Sequence, residues 1–354
     1  MTGRPKSLLV VADSLEGGLG AAALSHCRLF AQNGWTVSLA APGAGAQVTD
    51  GIQGHGLGVP EAAFHLRPML GAAQQARRLL RELEPDVVHA HGLRTLAVLL
   101  AGGRRPFVTL HGGGRIPGQT SLGTWMRTSS RYLAPLLVPG AFSAVPFERG
   151  RWTTMVIPSP QLDQLEGVAG EPVATDPLFI FVARLAPPKR PEMFVDAMAA
   201  LRHRVPNARG VVLGDGPGRA ALEARIRAKD APVRLVGQVK DMTRWYRQAW
   251  GVCLLSDFEA VNFVVQEAMW AGRPVITSRL PGVEWLAADT ARYVREPAAV
   301  VDALHELCDP SIRESRGRAA HLRALSMLAP GQLYQPLVDA YGIDDRPRSV
   351  QEQS

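Results

Sequence analysis

Leu178-Phe179-Ile180-Phe181-Val182-Ala183-Arg184-Leu185-Ala186-Pro187-Pro188-Lys189-Arg190 passes from an unbroken apolar run straight into a cationic loop. Five consecutive apolar residues fit a strand buried on both faces, which is the condition of a parallel sheet covered by helices. Downstream, residues 210–213, 233–236, 251–255, 274–277 and 292–294 repeat the run, with helix-length amphipathic segments between them. Upstream, residues 8–12, 36–40, 86–89, 107–110, 136–138 and 154–157 do the same, with helices expected at 21–32 and 71–83 and a helix stop at Asn33-Gly34. Two α/β units in series follow from this alternation.

Between the two series, Pro158, Pro160, Gly167, Gly170, Pro172 and Pro177 interrupt any periodicity. The expected division is a first domain over 1–160, a linker over 161–177, a second domain over 178–329, a helix over 330–343 that crosses back to the first domain, and a polar tail over 344–354.

The 354 residues are 46% hydrophobic, enough for two ordinary cores. Cys27, Cys253 and Cys308 are odd in number and lack Cys-x-x-Cys spacing, so neither a disulfide framework nor a zinc site is indicated, and a reducing cytoplasm is expected. Asp13 ends the first apolar run too early for a signal-peptide core, and no run reaches the roughly 20 residues that span a bilayer. Of the net charge of +7, the larger part sits in residues 1–170, with 15 Lys and Arg against 10 Asp and Glu. Without a recognition-helix pattern or an aromatic strand platform, this charge reads as solvated surface rather than a nucleic-acid site. Trp125, Met126, Arg127, Arg131, Tyr132 and Leu133 have the composition of a basic amphipathic helix, readable as peripheral membrane contact at the surface or as core packing.

Each strand end of the second series carries chemistry. Arg184 and Lys189 are two cations suited to phosphate oxygens. Gly214-Asp215-Gly216-Pro217 is a turn leaving the next strand, with proline placed to start a helix. Glu259 and Glu267 stand eight apart, the second inside a helix expected from Asn262, whose first amides, near Asn262, Phe263 and Val264, are free to meet an anion. In the first series, Glu16-Gly17-Gly18-Leu19-Gly20 opens a helix after the first strand, and His89, His91 and His111 stand at carboxyl ends of strands, where α/β sheets bind ligands. His89 reads as a structural hydrogen-bonding group, whereas His111 is placed to manage a proton or a hydroxyl. Ala40-Ala41-Pro42 supplies no acidic residue for a dinucleotide ribose, so an NAD site is disfavoured.

Taken together, the glycine turn, Asp86-Val87-Val88-His89-Ala90-His91, Thr109-Leu110-His111-Gly112, Arg184 with Lys189, Gly214 to Pro217, and Glu259 with Glu267 running into Ala268-Met269 and Ala271-Gly272 resemble the family-4 glycosyltransferases. These are retaining enzymes of the GT-B fold, so the resemblance implies two Rossmann-like domains facing across a central cleft: an acceptor domain, then a nucleotide-sugar-binding domain. It further implies a metal-independent hexosyltransferase without a cofactor, moving sugar from a nucleotide diphosphate to an acceptor hydroxyl. Arg184 and Lys189 would hold the diphosphate, Glu267 the ribose and Glu259 the sugar hydroxyls, with His111 beside sugar and acceptor. Gly17, Gly18 and Gly20 would approach the donor from the first domain, Gly214 from the second, and Gly237 would lie near the base. Two departures stand out. Ala260-Val261-Asn262 replaces the usual small residue, Phe and Gly, and Pro158-Ser159-Pro160 replaces Pro-Asn-Gly at the hinge. The acceptor is left open among a lipid carrier, a glycan, a polyol and a secondary metabolite. Alternative readings are another GT-B activity, such as a nucleotide-sugar epimerase or a phosphorylase, and a non-catalytic nucleotide-sugar-binding partner subunit.

Overall fold

A computed structural model describes residues 5–46, 51–59, 66–109, 136–139, 152–155, 157–171, 173–257, 259 and 263–343. The first sheet comprises β1 (Ser7–Ala12), β2 (Thr36–Ala41), β3 (Gln53–Gly56), β4 (Val87–His91), β5 (Phe107–Thr109), β6 (Leu136–Pro139) and β7 (Trp152–Met155). Its order is β3-β2-β1-β4-β5-β6-β7, and every pairing is parallel. Helices α1 (Gly17–Gln32), α2 (Leu66–Leu83) and α3 (Leu93–Ala101) connect its first strands.

The second sheet has β8 (Leu178–Val182), β9 (Arg209–Leu213), β10 (Val233–Gly237), β11 (Gly251–Leu254), β12 (Val275–Ser278) and β13 (Arg292–Val294) in the order β10-β9-β8-β11-β12-β13, again parallel. Its helices are α4 (Pro191–Leu201), α5 (Arg219–Lys229), α6 (Thr243–Gln248), α7 (Phe263–Trp270), α8 (Pro281–Ala287), α9 (Pro297–Glu306) and α10 (Pro310–Leu328), and α11 (Pro330–Tyr341) ends the described chain.

Alternation explains why the strands read as continuous apolar runs. Along β1, Leu8, Val10 and Ala12 enter one buried cluster and Leu9 and Val11 the cluster on the opposite face. Along β8, Phe179 and Phe181 point to one side and Ile180 to the other. Chain direction across the sheet reverses beside β1 and beside β8, and such switch points open a crevice at the carboxyl ends of the strands.

Three elements differ from the sequence reading. β3, Gln-Gly-His-Gly, has no β-branched residue and was not expected; as an edge strand on β2 it needs only one neighbour. The stretch expected as a linker, 161–177, is packed: its Leu162, Leu165 and Val168 are buried in the second core. The glycine turn is the first turn of α1 itself, which starts at Gly17 instead of residue 21.

α11 returns to the first domain. Leu333, Leu337, Val338 and Tyr341 lie in its core with Phe30 and Trp35, and the Trp35 indole N–H donates to the Tyr334 hydroxyl at 2.6 Å. Tyr341 also enters a buried polar chain. Its hydroxyl lies 2.8 Å from both His26 Nε2 and His89 Nδ1, His89 Nε2 is 2.7 Å from Thr109 Oγ1, and His26 Nδ1 is 2.9 Å from His91 Nε2. Neutral groups satisfy these links in either direction, from Thr109 through His89, Tyr341 and His26 to His91 or the reverse, with His89 and His26 each donating from one nitrogen and accepting at the other. Burial raises the tyrosine pKa and keeps its proton. The ring nitrogens of the three histidines approach within 4.8 Å of one another, and these hydrogen bonds account for that convergence. Tyr341→Phe keeps the shape and removes the hydroxyl joining α11 to two histidines, so denaturant titration is expected to show a loss of about 1–3 kcal/mol.

Among the described residues, no helix is long and apolar enough to cross a membrane. Cys27 and Cys253 are buried free thiols whose pKa values burial pushes up.

Candidate active site

The loops after β8 and β9 are locked together by backbone geometry. Leu185 N–H donates to Asp215 O at 2.9 Å, Gly218 N–H to Leu185 O at 2.9 Å and Gly214 N–H to Gly237 O at 2.8 Å. Gly214 has φ +136°, and a Cβ there would stand 1.9 Å from Ala183 O. Glycine is what allows the Gly-Asp-Gly-Pro turn to lie directly against the Arg184 loop. Arg184, Gly214 and Gly237 are thereby brought to one edge of the sheet. Arg184 itself is exposed, and among the described residues it makes no ion pair.

Lys189 and Glu259 meet. Lys189 Nζ donates to Glu259 Oε1 at 2.6 Å, and the same oxygen accepts from Ser256 Oγ at 2.5 Å. The Glu259 side chain is only 9% exposed against 27% for Lys189, so the carboxylate is fixed and the ammonium has the freer end. The loop that positions Glu259 is tied to the Lys189 loop by Asp257 N–H to Pro188 O at 2.8 Å and by the Arg190–Asp257 ion pair at 3.2 Å. Arg190 holds φ +51°, an uncommon left-handed conformation at the cap of α4. The side chain expected to hold phosphate thus neutralises the side chain expected to hold the sugar.

Phe263 and Val264 form the half-buried start of α7, and Phe263 also packs against the core of the first domain, which places this helix end between the two domains. Glu267, one turn further, is buried. It is 6% exposed, its Oε1 accepts from Ser159 Oγ at 2.5 Å and its Oε2 from the Tyr246 hydroxyl at 2.7 Å. Burial raises the Glu267 carboxyl above its ordinary range, and the two hydroxyl donors pull it back. Tyr246 is pushed up by burial and then by the glutamate charge. The neighbouring Gln266 side chain accepts from Ser159 N–H at 2.8 Å and donates to Ile157 O at 2.9 Å, as a strand would. The serine of Pro158-Ser159-Pro160 is therefore stitched to the helix that carries Glu267.

On the first domain, Gly20 is required because a Cβ would fall 2.1 Å from the Leu15 backbone, whereas Gly17 and Gly18 meet nothing within 4 Å. Close backbone approach from outside is open to those two alone. Asp13, at the end of β1, takes Arg94 Nε at 2.9 Å and the adjacent guanidinium nitrogen at 2.8 Å. His89 and His91 are wholly buried in the chain that Tyr341 completes. His111 and Asn262 lie outside the described residues, as do the residues expected to form the amphipathic helix at 125–133. Ser159, Tyr246, Gln266 and Ser256 were not picked out by sequence reading. Ser159 entered that reading only as part of the hinge departure; the packing of α6 and α7 against residues 157–159 reveals Ser159, Tyr246 and Gln266, and the turn after β11 reveals Ser256.

The pattern of the family described as Glycosyltransferase Family 4 matches residues 16–139, and that of Glycosyl transferases group 1 matches residues 176–309. A D-inositol 3-phosphate glycosyltransferase from Frankia alni is 30% identical over 151 residues, covering 37% of this chain and 36% of that protein. An alpha-D-kanosaminyltransferase from Streptomyces kanamyceticus is 30% identical over 147 residues, covering 39% and 38%. The matches thus span well under half the length of these curated relatives. In fold, the chain is similar to a glycosyltransferase from Rickettsia africae ESF-5, with a TM-score of 0.78 at 12% identity over 96% of this chain and 98% of that one. It is similar also to Anabaena Alr3699/HepE, crystallised with UDP and glucose, with a TM-score of 0.71 at 16% identity over 95% and 99%. With family patterns in both halves and this fold throughout, the chain belongs to the group 1, family-4 glycosyltransferases of GT-B architecture.

Proposed function

We propose that the protein is a retaining glycosyltransferase that moves a hexose-type sugar from a nucleotide diphosphate to an acceptor hydroxyl without a metal ion. The observation that carries this reading is the Lys189–Glu259 pair beside the exposed Arg184, which makes no ion pair among the described residues, at the carboxyl edge of the second sheet. A donor that arrives here exchanges partners: its diphosphate takes Lys189 and Arg184, and its sugar hydroxyls take Glu259, which Ser256 holds in place. Each exchange replaces one charge-assisted contact by another, so the site need not leave a part-buried carboxylate bare.

As the bond between sugar and diphosphate stretches, negative charge grows on the leaving oxygens, and the two cations gain more from the transition state than from the ground state. The acceptor hydroxyl attacks on the face that the leaving group vacates, and its proton passes to the departing phosphate or to His111. Glu267, already holding two hydroxyl donors, keeps two lone-pair directions for the ribose. The UDP and glucose bound to the Anabaena protein and the sugar transferases among the sequence relatives support the donor class.

A thermal-shift panel of nucleotide sugars on the full chain tests this. One base-and-sugar combination is expected to stabilise the protein selectively, by about 2.7 kcal/mol at a hundredfold excess over its Kd, and to be consumed with a suitable acceptor in the presence of a chelator. A panel without any stabilising member, or turnover abolished by chelation and restored by a divalent ion, overturns the reading.

A further inference from the structure

The opposite edge of the second sheet, where the strands begin, carries a second cluster of charge. Trp250 immediately precedes β11, and Arg273 and Pro274 precede β12. α10 passes beside them and presents Arg313, Glu314, Gly317, Arg318 and His321 on one helical face, and with residues 169–171 they line a cleft of about 690 Å³. That volume falls within the usual range for small-molecule sites. Arg184, Gly214 and Glu259 follow their strands instead of preceding them, so the cleft and the donor residues lie at opposite ends of strands of four or five residues. At ~3.3 Å per residue this is roughly 15 Å of sheet.

The cleft is short of negative charge. Arg273 is 5% exposed, yet its hydrogen bonds go only to backbone carbonyls: Tyr246 at 2.7 Å, Val168 at 3.1 Å and Glu171 at 3.3 Å. They leave from Nε and Nη2, and among the described residues Nη1 has no protein partner. The Arg313 guanidinium lies 3.9 Å from the centre of the Trp250 ring and donates to Leu307 O at 2.8 Å, again a carbonyl. Arg318 is exposed and has no ion pair among the described residues. His321 donates from Nδ1 to Trp270 O at 2.7 Å, which fixes its ring at the wall. Of the two acidic residues among the described residues of the wall, Glu171 is engaged with Arg247, which leaves Glu314 against three arginines. Burial lowers the pKa of Arg273, the Glu171 carboxylate offsets part of this, and the Arg313 charge adds to it. Burial lowers Arg313 as well, with Glu314 opposing. Like charges held together in a half-dry cleft gain most from an anion that contacts several of them at once.

We propose that this cleft binds a compact phosphoanion, an inorganic diphosphate or a small phosphate monoester, at a site separate from the donor site. The phosphate oxygens would bridge Arg273 Nη1, Arg313 and Arg318 and so clamp α10 to the segments entering β11 and β12.

Calorimetric titration of the full-length Arg184→Ala/Lys189→Ala protein, in which the donor cations are gone, with inorganic pyrophosphate and separately with glycerol 3-phosphate tests the proposal. One saturable site is expected, and the tighter of the two probes tells inorganic from ester chemistry. Arg313→Gln/Arg318→Gln in that background is expected to weaken binding at least tenfold, and Glu314→Gln to tighten it. Arg313 also braces Trp250 and Leu307, so Arg318→Gln alone, on an exposed position of α10, serves where the double variant melts early; about a threefold loss is expected. Saturation by neither probe, or an affinity indifferent to Arg318→Gln and Glu314→Gln, overturns the proposal. Neither result bears on the donor site, whose own test is the nucleotide-sugar panel.

Discussion

Arg184→Ala is expected to lower kcat/KM for the nucleotide-sugar donor by about a hundredfold to a thousandfold, the range for removing one donor that stabilises developing charge, while thermal unfolding stays where it was. The second half of this expectation follows from the structure: Arg184 is exposed and, among the described residues, has no ion pair to lose. Lys189→Ala should cost a similar factor in rate but also shift the melting curve, because it strips the cation from a Glu259 carboxylate that is 9% exposed. A cost of about 1–2 kcal/mol lies between the surface and buried limits for breaking such a pair. Adding Glu259→Gln to Lys189→Ala removes the stranded charge and should return most of that stability without returning activity. Steady-state kinetics and melting curves on the three variants separate the roles. Wild-type turnover in Arg184→Ala and Lys189→Ala would show that neither cation meets the leaving group.

The fold was legible because its strands are covered on both faces: β8, with Phe179, Ile180 and Phe181 each fully buried, announces itself as an apolar run. β3 did not, since a one-neighbour edge strand of Gln, Gly and His gains little from hydrophobic patterning. At the site, type and spacing singled out Arg184, Lys189, Gly214 and Glu259, and the structure brings Lys189 to Glu259 and the Gly214 turn to the Arg184 loop. What stayed hidden is how the site's side chains partner one another. Nothing in the spacing of residues 159, 246 and 267 says that two hydroxyls from distant segments converge on one buried carboxylate. The same holds for Tyr341, 315 residues from His26 along the chain, whose hydroxyl closes a polar chain inside the first domain. Long-range polar partners leave no period in a sequence; apolar faces do.

Gly214→Ala is expected to have the largest effect of any single methyl group in the site, at about 3–5 kcal/mol of stability together with loss of donor binding. Two penalties add. The residue sits at φ +136°, which no L side chain adopts at ease, and the new Cβ would lie 1.9 Å from Ala183 O and 2.8 Å from the carbonyl carbon. These are backbone atoms of the loop that carries Arg184, so no side chain can turn aside; the loop itself must move. Moving it strains the bonds from Ala183 N–H to Leu213 O at 3.1 Å and from Leu185 N–H to Asp215 O at 2.9 Å, which hold Arg184 against the turn. Gly34→Ala supplies the comparison: its φ of +81° imposes conformational strain, but nothing stands within 4 Å of the added carbon, so a cost of about 1 kcal/mol and unaltered donor affinity are expected. Chemical denaturation paired with donor titration on the two variants distinguishes steric contact from backbone strain. Equal losses in both would mean that the close approach of the two loops contributes nothing to the site.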